Sequence, residues 1–109
     1  MLLAVDFDGV IHDKANPIKG RRMGAPIEGA KEALVHFKTR GDEVVIFTVM
    51  AITPGGTKAV ADWMDYYEIP CDSITSTKPN ADMFIDDKAI RFNDWEQTLS
   101  DMWRLYEVV

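Results

Sequence analysis

The chain has a single cysteine, Cys71, in 109 residues, so no disulfide can form within it. A domain of this size does not need one, because one hydrophobic core holds together without covalent staples. A lone cysteine also suits a reducing compartment. No apolar run approaches the roughly 20 residues that span a bilayer. The opening Met-Leu-Leu-Ala-Val-Asp lacks a basic segment and a cleavage site, and reads as a buried strand rather than a secretion signal. The expectation is a soluble, cytoplasmic protein with no membrane partner. An excess of basic residues is missing too. With 18 acidic and 12 basic side chains the formal net charge is −6, which argues against a general nucleic-acid coat and is compatible with a cation site. Repeats, low-complexity tracts and linkers are absent, so residues 1–109 read as one domain.

What is present alternates between strands and helices. Leu2 to Val5 is a short continuous apolar run ending in acids, the pattern of a strand buried on both faces. Residues 9–27 carry Gly9, Pro17, Gly20, Gly24 and Pro26 and read as an extended loop able to hold a hairpin. Glu28 to Arg40 has Ala30, Ala33, Leu34 and Phe37 at helical spacing, with Gly41 as its stop. Glu43 to Phe47 is a second buried strand. Pro54 to Tyr67 is a helix capped by Thr53, with Val60, Trp63, Met64 and Tyr67 inward. Ser73 to Thr75 and Met83 to Ile85 read as further strands, and Ala89 to Phe92 as a fifth. Asn93 or Asp94 then caps a last helix whose inner face would be Trp95, Leu99, Met102 and Trp103. The class is therefore α/β, a Rossmann-like three-layer sandwich with a mostly parallel sheet. Ligands in such sheets bind beyond the carboxyl ends of the strands.

The polar residues of interest sit at those ends. In Asp6-Phe7-Asp8-Gly9-Val10 two acids one residue apart point to the same side of an extended chain, and Gly9 lets the backbone turn sharply after them. One carboxylate can attack phosphorus while the other protonates the leaving oxygen and later activates water. A bare D-x-D is as readily a solvated turn; its place after a buried strand favours chemistry. Thr48 ends the second strand and can donate to a phosphate oxygen, though alone it reads as an ordinary strand end. Lys78, in Ser76-Thr77-Lys78-Pro79, could balance transition-state charge, or be plain solvated surface. Asp86 and Asp87 follow an apolar strand and suit a hard cation such as Mg²⁺, or a tight turn.

These four signals, in this order and each at a strand end, resemble the haloacid dehalogenase-like (HAD) hydrolase superfamily. The resemblance runs from Leu2 to about Phe92 and includes Ile69-Pro70-Cys71-Asp72-Ser73-Ile74 before Lys78-Pro79. It implies that Asp6 is the nucleophile, Asp8 the general acid/base, Thr48 a phosphate ligand and Lys78 a partner to both. It implies Mg²⁺ as cofactor, held by the Asp6 side chain, the Asp8 carbonyl and Asp86, with Asp87 acting through water or as support. Asp8 favours phosphate over halide chemistry. Many relatives carry Arg two residues after the motif-two hydroxyl; here Val49 and Met50 follow Thr48.

Many relatives also insert a cap domain after the first motif or between the second and third. Neither interval here has room for one, so an open site is expected, or one closed by a neighbouring subunit in a homo-oligomer. The basic residues Lys14, Lys19, Arg21 and Arg22 cluster in the 9–27 loop, where they would attract an anion if the loop flanks the site. Gly9, Arg21 and Arg22 are the expected substrate-binding positions. His12, following the first motif, reads as incidental. The expected reaction is hydrolysis of a phosphomonoester through an aspartyl-phosphate on Asp6, the partner being a phosphorylated substrate of unknown identity. Rivals are transfer to an alcohol, trimming of phosphorylated nucleic-acid ends, and a phosphate-binding module without turnover.

Overall fold

The computed structural model describes residues 1–106. Four parallel strands form its sheet: β1 (Leu2–Asp6), β4 (Glu43–Phe47), β5 (Ser73–Thr75) and β6 (Met83–Ile85), in the order β5-β4-β1-β6. β2 (His12–Pro17) and β3 (Gly24–Pro26) make a separate antiparallel hairpin. The helices are α1 (Ala30–Thr39), α2 (Pro54–Tyr66) and α3 (Trp95–Tyr106), with a 3₁₀ turn at Val49–Ile52. None is long and apolar enough to cross a membrane. The α/β class with a parallel sheet is what the sequence pattern implies.

β1 is apolar throughout its middle because it is hydrogen-bonded on both edges and covered on its faces: Leu3, Ala4 and Val5 are all buried. The register sets Leu3 beside Val44 and Val5 beside Ile46. These four side chains share one face of the sheet and join Ala30 and Leu34 of α1 and Val60, Trp63 and Met64 of α2 in a single core. Both crossovers, β1 to β4 and β4 to β5, run the same way across the sheet. Right-handed connections then place α1 and α2 on one face, as observed.

Local chemistry sets the helix ends. α1 begins at Ala30, two residues later than the spacing suggests, because Gly29 is left-handed at φ 87°. Gly41, at φ 88°, follows its end. Thr53 caps α2, its Oγ1 accepting from the Gly56 N–H at 3.0 Å. Asp94 caps α3, its Oδ1 accepting from the Gln97 N–H at 2.7 Å.

Two expectations fail at the carboxyl side of the chain. Ala89 to Phe92 is irregular backbone rather than a strand, which leaves β6 as the edge, with Phe84 43% exposed. The proposed inner face of α3 is not inward: Trp95, Leu99, Met102 and Trp103 are all exposed. Among the described residues the apolar stripe of α3 joins no core.

Candidate active site

β1 and β6 lie side by side, so the acids that end them meet. Carboxylate oxygens of Asp6, Asp86 and Asp87 all lie within 4.8 Å of one another. An octahedral Mg²⁺ with bonds of about 2.1 Å sets neighbouring oxygens about 3 Å apart and opposite ones about 4.2 Å apart. The all-oxygen donor set suits that ion. Gly9 closes the other side of the cluster. It turns the chain at φ 85°, and a Cβ on it would collide with the Asp87 carboxylate.

Crowding shows at Asp6. Burial is the largest cause raising the Asp6 carboxyl above its usual range, and the charges of Asp86, Asp87 and Asp8 push the same way. A hydrogen bond from the Phe7 N–H to Asp6 Oδ1, at 2.9 Å, pulls in the opposite direction and fixes the carboxylate's orientation.

A cleft of about 300 Å³ is lined by Asp6, Asp8, Lys14, Phe47, Thr48, Val49, Asp86 and Lys88, with Asp87 outside it. Thr48 is buried. Its Oγ1 accepts from the Met50 N–H at 3.2 Å, which leaves the hydroxyl proton to donate elsewhere. Lys88 enters through the turn after β6, where its N–H donates to Asp86 Oδ1 at 2.7 Å.

The other basic residues are placed differently. Lys78 lies outside this lining, with its Nζ 5.1 Å from the centre of the Phe84 ring. Phe84 pairs with Ala4, one pleat below Asp6 on the same side of β1. Arg21 and Arg22 line another groove, with Met23, Trp63, Tyr66 and Tyr67. Arg21 donates to the Tyr66 hydroxyl at 3.2 Å and stacks 5.0 Å from that ring's centre. The hairpin carries these two arginines along α2 toward its carboxyl end, whereas the acids gather at the other end of the sheet.

His12, incidental in the sequence reading, is buried beside the acids. Its Nδ1 lies 2.7 Å from Asp8 Oδ1. Lys88 was equally visible in the sequence but stood behind the more conspicuous Asp86-Asp87 pair.

The chain is similar to the structure of a conserved protein coded by a locus from Bacteroides thetaiotaomicron. The likeness covers 96% of this chain and 90% of that one, with a TM-score of 0.66 and 23% sequence identity. At that identity it speaks for the fold. No family model and no curated protein matches the chain.

Proposed function

We propose that this chain is a Mg²⁺-dependent phosphomonoester hydrolase of the HAD type, with Asp6 as nucleophile. The observation that carries the reading is the convergence of Asp6, Asp86 and Asp87 at the ends of adjacent strands, with Asp8 on the same cleft. Bound among those carboxylates, Mg²⁺ would offset charge on the phosphoryl oxygens.

In the first step an Asp6 oxygen bonds to phosphorus and the bond to the leaving oxygen breaks. The Asp8 carboxyl gives that oxygen its proton. In the second step the Asp8 carboxylate takes a proton from water, and the water oxygen attacks the aspartyl-phosphate. Phosphate leaves and the Asp6 carboxylate is regenerated. Thr48 donates its hydroxyl proton to a phosphoryl oxygen. Lys14 and Lys88, cations that line the cleft, join Lys78 as candidates for balancing the transition-state charge. Arg21 and Arg22 have no part in this scheme, because their groove is not the acid-lined cleft. Cys71, whose thiol burial pushes up, supplies no nucleophile and suits a reducing cytoplasm.

Phosphate release from p-nitrophenyl phosphate, with and without Mg²⁺, tests the reading. Wild type is expected to require the ion, and Asp6→Asn to lose turnover by at least about a thousandfold. A folded Asp6→Asn protein with wild-type turnover would refute the covalent route.

A further inference from the structure

Residues 7–12 wind tightly around one carbonyl. The oxygen of Phe7 accepts from the N–H groups of Val10, Ile11 and His12 at 3.3, 2.9 and 2.9 Å, and the Gly9 N–H donates to the His12 oxygen at 2.9 Å. The turn brings the His12 ring back under Asp8. There the residue is 5% exposed, its ring stacked on Phe7 at 5.1 Å between centres and edge-on to Trp63 at 5.4 Å.

Both ring nitrogens have partners, and one of them decides the proton. The Gly24 N–H points at Nε2 from 2.8 Å. A backbone N–H can only donate, so Nε2 accepts, and the ring proton sits on Nδ1. The 2.7 Å contact is therefore Nδ1–H donating to Asp8 Oδ1. Gly24 is itself held. Its oxygen accepts from Trp63 Nε1 at 3.0 Å, and a Cβ at this position would run into the carbonyls of Asp13 and Asn16. Asp8, His12, Gly24 and Trp63 thus form one hydrogen-bonded chain, anchored in the core through Trp63.

We propose that His12 is a positioning residue for Asp8, holding Oδ1 so that Oδ2 faces the cleft and carries the transferred proton. The inference rests on the hydrolase reading above. Without the Nδ1–H donor the Asp8 carboxyl turns about its last bond, and the oxygen that should meet the leaving group is aimed less often. An acid misplaced in this way matters most where the leaving oxygen is a poor one. An alkoxide needs its proton during bond cleavage, whereas p-nitrophenolate leaves without it.

Two substitutions separate the nitrogens. His12→Asn keeps an N–H near the Nδ1 position and loses the acceptor for Gly24. His12→Gln keeps an acceptor near the Nε2 position and loses the donor to Asp8. The measurement is kcat/KM for an alkyl phosphate and for p-nitrophenyl phosphate, with thermal melts of each protein. The His12→Gln variant is expected to lose about tenfold more on the alkyl ester than on the aryl ester. The His12→Asn variant is expected to keep the wild-type ratio of the two, whatever its melting temperature. Equal losses on both esters in His12→Gln would overturn the inference, because a merely structural histidine lowers both alike. The tautomer gives a second test that needs no variant and no turnover: ¹⁵N NMR of wild type is expected to show a protonated Nδ1, and a proton on Nε2 would overturn the assignment. Wild type inactive on both esters would instead overturn the hydrolase reading itself, a result distinct from the other two.

Discussion

Gly9 and the carboxylate of Asp87 touch so closely that not even a methyl group fits between them. The contact ties the turn after β1 to the turn after β6, which are 78 positions apart in sequence (87 − 9). It also explains why the acid pair after β1 is followed by glycine.

Gly9→Ala therefore disturbs two things together. The left-handed backbone, at φ 85°, costs an L-residue about 1–2 kcal/mol, and the new methyl displaces Asp87. The expected result is a lower melting temperature and a Mg²⁺ requirement raised about tenfold or more. A Mg²⁺ titration of turnover beside a thermal melt checks both, and an unchanged Mg²⁺ midpoint would separate Asp87 from the ion.

Asp72 makes a different kind of join. Its carboxylate accepts from Lys38 Nζ at 2.9 and 2.7 Å and from the Val44 N–H at 2.7 Å, linking α1 and β4 to the approach to β5. The Lys38 hydrogen bond, then that of Val44, lowers the Asp72 pKa below its ordinary value. A lowered folded-state pKa gives stability that is present above the unfolded value, near 3.9, and is lost as pH falls through the folded one. Asp72→Asn is expected to destabilise the protein by about 1 kcal/mol at pH 7, a modest figure because the carboxylate is open to solvent. The gap to wild type should close below about pH 4. Urea unfolding at several pH values reads this directly, and a gap that stays constant would assign the effect to shape rather than charge.

Two leucines at similar places in their helices predict opposite outcomes. Leu34 of α1 is 3% exposed and Leu99 of α3 is 48% exposed. Leu34→Ala is expected to cost about 2–5 kcal/mol and Leu99→Ala less than about 0.5 kcal/mol. Chemical denaturation of the two variants checks the pair. A large loss from Leu99→Ala would mean that α3 is packed against something in solution.

That contrast also marks how far the sequence can be read. α1 and α2 are amphipathic and so is α3, and periodicity reports only that a stripe exists, not that a surface waits for it. The stripe of Val60, Trp63 and Met64 meets a sheet face and that of Trp95, Leu99 and Met102 does not. The four parallel strands were legible because runs such as Val44-Val45-Ile46 suit only a strand covered on both faces. Asp6, Asp86 and Asp87 were legible because strand ends are where such sheets gather polar groups. His12 was not, because its importance lies in an N–H twelve residues away, on Gly24. The placement of Arg21 was hidden similarly: the direction of a hairpin depends on what it packs against, here Trp63 and Tyr66 of α2.

Asp6 ends the first strand of the sheet and Asp86 follows the last in sequence, and β6 pairs with β1 rather than with its predecessor β5. As the chain is synthesised, β1 waits with an open edge until residues 83–85 have appeared. The cluster of like charges exists only where those two strands are paired, so electrostatic repulsion works against that pairing. Under the proposed function, a divalent cation held by these carboxylates would shift the balance toward the paired strands by mass action. The ion would then favour the assembled sheet as well as aid the chemistry, and a chain whose β6 is undocked would lack the proposed site.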